Sequence, residues 1–323
     1  MVEIAGPEGA GKNLLADLYI AQTQEIFGDD FNCAILTAEY KYDKLRARQN
    51  GVQIALTNDE IAELEAAQGE PLEEEEKKAL QEQVGEFYLV EEGPAEVLID
   101  SLLTLMGSGE IQLVIIDSLA NLIPDEEIKK GLDESAQVAA RASMLTRFMQ
   151  KIHPLMSRTK TMVIALNQVR APIGYRGPAQ YVPKYKLSEP FAIRHGIAGR
   201  IEISSGSAIK EGEVRIGKEL RWHISKGKAG FHEGPLGILN YKYETGIEIE
   251  EDFVETILPF CERSGTWFTV PLGNQKDLRV QGKKRLVDHA MANPDWVESV
   301  KKDVYELKGI RFLYREVQKE TGD

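Results

Sequence analysis

An α/β fold, with a mostly parallel sheet flanked by helices and a small C-terminal α/β unit, is predicted by three observations. The first is a glycine-rich turn, Gly6-Pro7-Glu8-Gly9-Ala10-Gly11-Lys12-Asn13. It sits between a short apolar run, Val2 to Ala5, and an amphipathic segment carrying Leu14, Leu15, Leu18 and Tyr19. The second is the recurrence of short apolar runs at Cys33 to Leu36, Phe87 to Val90, Leu113 to Ile116 and Met162 to Leu166, with helical periodicity at Ala95 to Met106 and Gln137 to Met156. Strand–helix alternation of this kind builds parallel sheets. The third is a change of composition at Gly246 to Asp252, which separates a core of residues 1–248 from a final unit of residues 249–323.

The first element carries the clearest chemistry. In the pattern G-x-x-x-x-G-K, glycines let successive N–H groups turn inward around a phosphate at the N-terminus of the helix that starts near Lys12. Lys12 would reach the β- and γ-phosphates. The residue after the lysine is Asn13 where a Ser or Thr hydroxyl usually ligates Mg²⁺, and an amide oxygen is a poorer substitute. Nucleotide binding is therefore expected, with fast hydrolysis in question.

Further along, Leu113 to Ile116 delivers Asp117 at a strand end, the usual placement of a carboxylate that holds Mg²⁺ directly or through water. Strands often end in Asp, so this signal gains its meaning beside the phosphate loop. Glu39, just after the Cys33 to Leu36 strand, is the candidate general base for activating water. Gln168 closes a further strand and is placed to hydrogen-bond a γ-phosphate and report it to the segment that follows.

Two segments interrupt the alternation. Residues 53–86 read as an acidic helical insertion: Ile61, Leu64 and Ala67 keep a helical period, Gly69 and Pro71 break it, and Leu72 to Gln83 resume it. Thirteen acids and two lysines between Asp59 and Glu92 account for eleven of the chain's thirteen net negative charges. The acidity is thus local and does not argue against a nucleic-acid surface elsewhere. A solvated face or flap is the plain expectation for this insertion, and a mimic of DNA or a partner dock the sharper one.

Residues 170–194 form a long loop with four prolines. Arg170, Arg176, Lys184, Lys186 and Arg194 are interleaved there with Tyr175, Tyr181 and Tyr185. Cations for phosphates and rings for unpaired bases are what single-strand binding uses, with stacking contributing about 1–3 kcal/mol per base. The bland alternative is a loop that packs on itself. Later come expected strands at Arg200 to Ser204, Glu219 to Ser225 and Gly237 to Tyr243. The final helix is marked by Asn293 as its cap, Pro294 in its first turn and Gly309 at its stop.

Composition excludes other classes. The 323 residues are 42% hydrophobic and 28% charged, as in globular proteins, and no run of about twenty apolar residues exists to span a membrane. Cys33 and Cys261 are too few for a disulfide framework or a zinc site, and the five histidines lack metal-ligand spacing. With no secretory signal pattern at the N-terminus, a cytoplasmic protein is expected.

In order along the chain, VEIAGPEGAGK, TAEYKYDKLRARQNGV, VIIDSLANLIP, AARASMLTRFMQKIHPLMSRTKTMVIALNQVR and SKGKAG, then GILNYKYETGI, ERSGTWF and NPDWVESVKKDVYEL, resemble segments of the RecA-type recombinases of bacteria and phages. The resemblance covers nearly the whole chain except about residues 53–85. It implies a RecA-like ATPase core with ATP and Mg²⁺ as cofactors, and an ATP-dependent strand-exchange protein that forms helical filaments on single-stranded DNA. Glu39 looks like the family's catalytic carboxylate, Lys12 its phosphate lysine, Asp117 its Mg²⁺-linked acid and Gln168 its ATP-to-DNA switch.

The resemblance also places Asp43 at the adenine, with Arg46 replacing the aromatic that stacks on the base. Ile173 matches an apolar residue inserted between base triplets, and Arg141, Arg170 and Arg194 fall near DNA contacts. Lys226 and Lys228 match lysines that reach the ATP of the adjacent subunit. Lys283, Lys284 and Arg285 would form the basic patch of a duplex-capturing C-terminal domain. The acidic insertion departs from the bacterial pattern, and the family's N-terminal oligomerisation helix and strand have no counterpart ahead of the phosphate-loop strand. That departure, with Asn13, motivates a second reading, a nucleotide-gated DNA-binding module with little hydrolysis. A hexameric helicase-type motor fits the loop order and the C-terminal unit poorly.

Overall fold

The computed structural model describes residues 1–38, 41–129, 138–170, 186–187, 191–228, 233–247 and 249–308. The chain forms two compact units, Met1–Gly246 and Ile247–Asp323. In the first, β1 (Val2–Gly6) leads through the glycine-rich turn into α1 (Lys12–Phe27), and β2 (Asn32–Thr37) leads towards α2 (Lys44–Gln49). The acidic insertion is α3 (Asn58–Gln68) and α4 (Glu74–Gln81), followed by β3 (Glu86–Val90) and α5 (Ala95–Gly107). Next come β4 (Leu113–Asp117), the short α6 (Asp125–Ile128), α7 (Val138–Thr159) and β5 (Met162–Arg170). The unit closes with β6 (Lys186–Leu187), α8 (Phe191–Gly196), β7 (Gly199–Glu211), β8 (Val214–Gly227), β9 (Leu236–Lys242) and β10 (Gly246–Ile247).

The sheet order is β10-β9-β8-β7-β1-β5-β4-β2-β3, with β6 paired to β5. Strands β7, β1, β5, β4, β2 and β3 run parallel, while β7, β8 and β9 are antiparallel. The expected short strands near Arg200 and Glu219 are longer than their apolar patterns suggest. Most of β7 beyond Ser205 is exposed, so its outer half shows no buried alternation. Register fixes the working edge: Gly6 pairs with Gln168, and Thr37 with Asp117, so the C-terminal ends of four parallel strands lie together.

Central strands are buried on both faces and mostly apolar, as parallel strands usually are, and the buried Glu3 of β1 is matched by Asn167 at 2.6 Å and Arg200 at 2.5 Å. On α5, Leu98, Ile99, Leu102 and Met106 recur at helical spacing and pack against Phe148, Met149 and Ile152 of α7 and against Ile116 and Val163. Each such side chain fully buried contributes about 1.5–3 kcal/mol. Helix α1 is bound differently. Leu14 and Leu15 are buried, but Leu18 and Tyr19 are only half-buried and border an open apolar groove with Ile201, Trp222, Ile224 and Leu239. A polar stripe of Asn13, Asp17 and Gln24 is held by neighbouring segments instead.

Gln24 donates to Gln53 O and Val84 O, both at 2.8 Å, and accepts from Gln53 N at 2.9 Å. It thereby fastens the two ends of the acidic insertion. Arg48 of α2 adds three carbonyl contacts, to Ile54 and Ala79 at 2.7 Å and Glu82 at 3.0 Å. Thr57 and Glu60 cap α3 reciprocally, and Gly69 ends it in the left-handed region at φ 79°. The insertion is a docked hairpin whose acids face outward from a fixed base.

In the second unit, α9 (Ile249–Ile257), β11 (Glu262–Ser264), β12 (Trp267–Val270), β13 (Leu278–Gln281), α10 (Lys283–Ala292) and α11 (Pro294–Leu307) surround their own core. Phe253, Val270, Leu286, Trp296 and Val300 fill it, with the rings of Phe253 and Trp296 edge-to-face at 5.9 Å. Pro294 stands at the first helical position of α11 as expected, but Asn293 does not cap that helix with its side chain. Its amide donates to His289 O at 2.9 Å and closes α10, because one residue serves as the joint between both helices. Gly309 lies outside the described residues. No described helix is long and apolar enough to cross a membrane.

Candidate nucleotide and DNA site

The phosphate loop is pressed onto β7 and β8. A Cβ on Gly6 would stand 2.5 Å from Ile203 O, and one on Gly11 would meet Leu220 at 2.9 Å. Gly11 also takes φ 96°, a conformation that only glycine adopts without strain, and it forms the N-cap of α1 with no side chain bonded to the first turn. The leading N–H groups of α1 are thus directed at the loop, with the positive end of the helix behind them. Lys218 of β8 donates to Gly9 O and braces the loop tip. Lys12 is buried, and its Nζ donates to Gly6 O at 3.1 Å and Pro7 O at 2.8 Å. Pro7 is half-buried, Glu8 exposed and Ala10 buried, so side chains of the turn alternate between solvent and support.

Beside the loop, Asn13 Nδ2 donates to Asp117 Oδ2 at 2.8 Å. Burial pushes the Asp117 carboxyl above the ordinary range, opposed by the Asn13 hydrogen bond and by the charges of Arg46 and Lys12. Glu39 lies outside the described residues. The chain just before it is anchored here, since Ala38 N donates to Asp117 O at 2.9 Å. Gln168 is level with Gly6 across β1 and β5. Arg170 is placed by its backbone, paired with Lys186, so β5 and β6 bracket the long loop. Ile173, Tyr175, Arg176 and Lys184 lie outside the described residues.

One turn further along the same face of α1, Asp43 caps α2, its Oδ1 accepting from Arg46 N at 2.9 Å. The Arg46 side chain turns to Asp17, with Nε 3.5 Å from Oδ2. Asp17 also accepts from Tyr42 Oη at 2.9 Å and Asn50 Nδ2 at 2.8 Å. Asp17, Tyr42 and Asn50 escape a reading of the sequence. The available signal was the i, i+4 spacing of Asn13 and Asp17 on one face of α1.

Lys226 donates to Arg194 O, and Lys228 Nζ to His195 O at 3.2 Å, so both lysines cap the C-terminal end of α8. Cations are favourable there against the helix dipole. Arg141 donates to Leu119 O at 2.9 Å and Ala120 O at 2.6 Å, tying α7 to the turn after β4. Within the second unit, Lys283 pairs with Glu255, whereas Lys284 and Arg285 are exposed in the first turn of α10. Three cations in the first turn of a helix oppose its dipole. Arg279 stacks over the exposed Trp267 ring at 4.9 Å, a diagonal pair across β12 and β13 that the separate sequence positions conceal.

A glycine loop at a sheet edge, a buried lysine behind it and a strand-end carboxylate bonded to the first turn of the helix define a phosphate-loop nucleotide-binding α/β protein. Residues 70–248 match the family model for the RecA N-terminal domain. The chain is also 27% identical over 311 residues to Protein RecA of Rickettsia canadensis (strain McKiel), covering 95% of this chain and 77% of that protein. The chain belongs to the RecA family, the DNA-dependent ATPases of homologous recombination and strand exchange. Members of the family bind nucleotide and DNA and assemble into filaments. The matched model begins within the acidic hairpin, so assignment of the loop at residues 6–13 rests on its own geometry.

Proposed function

We propose that this chain binds ATP and Mg²⁺ at the edge formed by β1, β2, β4 and β5, and uses ATP to form filaments on single-stranded DNA that carry out strand exchange in the cytoplasm of a bacterial or phage-infected cell. The observation that carries this reading is the convergence of Gly6, Thr37, Asp117 and Gln168 on one edge, with Asn13 bonded to Asp117 at 2.8 Å. The N–H groups of residues 9–13 cradle the phosphates, and Lys12 exchanges its carbonyl partners for phosphate oxygens. Asn13 and Asp117 offer an amide and a carboxylate, hard oxygen donors of the kind that Mg²⁺ takes alongside substrate phosphates. Bound there, Mg²⁺ would neutralise charge developing on the transferred phosphoryl group.

Glu39 takes the proton of the attacking water, and Gln168 links the γ-phosphate to the loop at 170–194 through β5. Arg170, Ile173, Tyr175, Arg176, Lys184, Arg194 and Arg141 then meet the single strand, and Lys283, Lys284 and Arg285 meet duplex. Lys226 and Lys228 complete the ATP site of a neighbouring subunit, leaving α8 for phosphate. Phosphate release measured with and without single-stranded DNA tests the scheme. A DNA-stimulated rate abolished by Glu39→Gln supports it. No ATP-dependent binding of single-stranded DNA at low salt would sink it.

A further inference from the structure

One turn beyond Asn13, α1 carries Asp17, whose side chain is 1% exposed. A buried carboxylate is costly unless its oxygens are matched. Tyr42 serves Oδ1, while Asn50 and the charge of Arg46 serve Oδ2. Tyr42 lies on the approach to α2, Arg46 within it and Asn50 just past its end, so the cluster clamps α2 onto the phosphate-loop helix. Arg46 is the distinctive member. Its Nε is buried and makes no hydrogen bond, yet the side chain is 35% exposed. The Nε edge of the guanidinium faces Asp17, which shares its face of α1 with Asn13, the residue bonded to Asp117, and the rest of the side chain is partly open to solvent.

We propose that Asp17 is a positioning residue for the nucleotide, holding Arg46 so that the outer face of its guanidinium takes the base. This rests on the nucleotide reading above. The phosphates are bound at Lys12 and Asp117, and α2 stands at the C-terminal end of β2 beside them, where the remainder of a nucleotide extends. A planar cation stacks on a base only with its plane fixed, and a long side chain on a six-residue helix otherwise loses rotamer freedom on binding. The buried negative charge of Asp17 supplies that constraint in advance.

The test uses the whole chain with two probes, ATP and inorganic tripolyphosphate, each with Mg²⁺ and read by calorimetry. Asp17→Asn should weaken ATP about tenfold and tripolyphosphate less than about twofold. Tyr42→Phe, which keeps the ring and removes one donor, should weaken ATP in the same direction by less. In an Arg46→Ala background neither change should weaken ATP further, as for a residue that acts through another. Equal losses on both probes, no loss on ATP, or a loss that persists beside Arg46→Ala would overturn the assignment. If Asp17→Asn fails to fold, the Tyr42→Phe series makes the same decision. Wild-type protein that binds neither probe, or Lys12→Ala that binds both normally, would instead overturn the nucleotide reading and this assignment with it.

Discussion

Asn13 donates its amide hydrogen to Asp117 at 2.8 Å, joining the first turn of α1 to the end of β4. The longer amide therefore does part of what a hydroxyl does at this position, holding the strand-end acid, while presenting a carbonyl oxygen to a cation. Asn13→Thr is expected to raise the DNA-stimulated turnover about tenfold, a lowering of the barrier by about 1.4 kcal/mol, with little change in KM for ATP. Steady-state phosphate release reads it, and an unchanged rate would show that the amide does not limit turnover.

Asp117 sets a pH dependence whose sign follows from burial. Its folded carboxyl titrates above the unfolded value, so its contribution to stability is fully present below the unfolded pKa and is lost as pH rises through the folded one. Asp117→Asn removes that loss. Melting of the nucleotide-free protein should show the variant gaining on wild type as pH rises from about 4 to 7.5, while Mg²⁺-dependent ATP binding disappears. A difference in melting temperature that stays constant across this range would contradict the account.

Packing at the start of the loop leaves no room for a methyl group on Gly6. Gly6→Ala places Cβ against the backbone oxygen of Ile203, which no side-chain rotation relieves. A destabilisation of about 1–3 kcal/mol is expected, together with loss of nucleotide binding. Gly9→Ala is the control for space: nothing lies within 4 Å of its Cβ, and only the φ of 66° opposes it. Chemical denaturation of the pair should rank Gly6→Ala as the more damaging.

Arg48 closes the base of the acidic hairpin through three carbonyls. Arg48→Met keeps most of the stem and removes the donors, each worth about 1.5–3 kcal/mol where a charge is involved. Hydrogen exchange should rise across residues 54–82 with ATP affinity unchanged. Protection that stays at wild-type level would mean that Gln24, the Lys44–Glu60 ion pair and the backbone bonds at the base suffice to hold the hairpin.

Lys284 and Arg285 are exposed at the start of α10, and a phosphate contact by each has a definite signature. The double change to Glu should weaken duplex binding and flatten the slope of log K against log salt by about two. An unaltered slope would remove these residues from the DNA surface and turn attention to Arg279 and Trp267.

The phosphate loop, the strand ends and the acidic hairpin were legible because each is a local statement. Glycines at set spacing, an acid after an apolar run, and a helical period broken at Gly69 and Pro71 all act within a turn or two of the chain. The long β7–β8 ribbon was legible only at its buried root, since exposed strands lose the alternation that marks them. Asn293 stands at the N-cap position of α11 as its neighbours indicated, but the helix before it claimed the side chain.

For α1 the division is sharpest. Its sequence determined a helix behind a phosphate loop, with Leu14 and Leu15 turned to the sheet. It also suggested that Leu18 and Tyr19 would be covered with them, and it said nothing of Asp17. Tertiary structure decided otherwise: residues 42–84 return over the polar side of α1, bury Asp17 and Gln24, and leave Leu18 and Tyr19 at an open groove. Helical periodicity tells which side chains share a face, but which face is buried depends on segments that arrive from elsewhere in the chain. A carboxylate is tolerated inside only when those segments bring its donors with them.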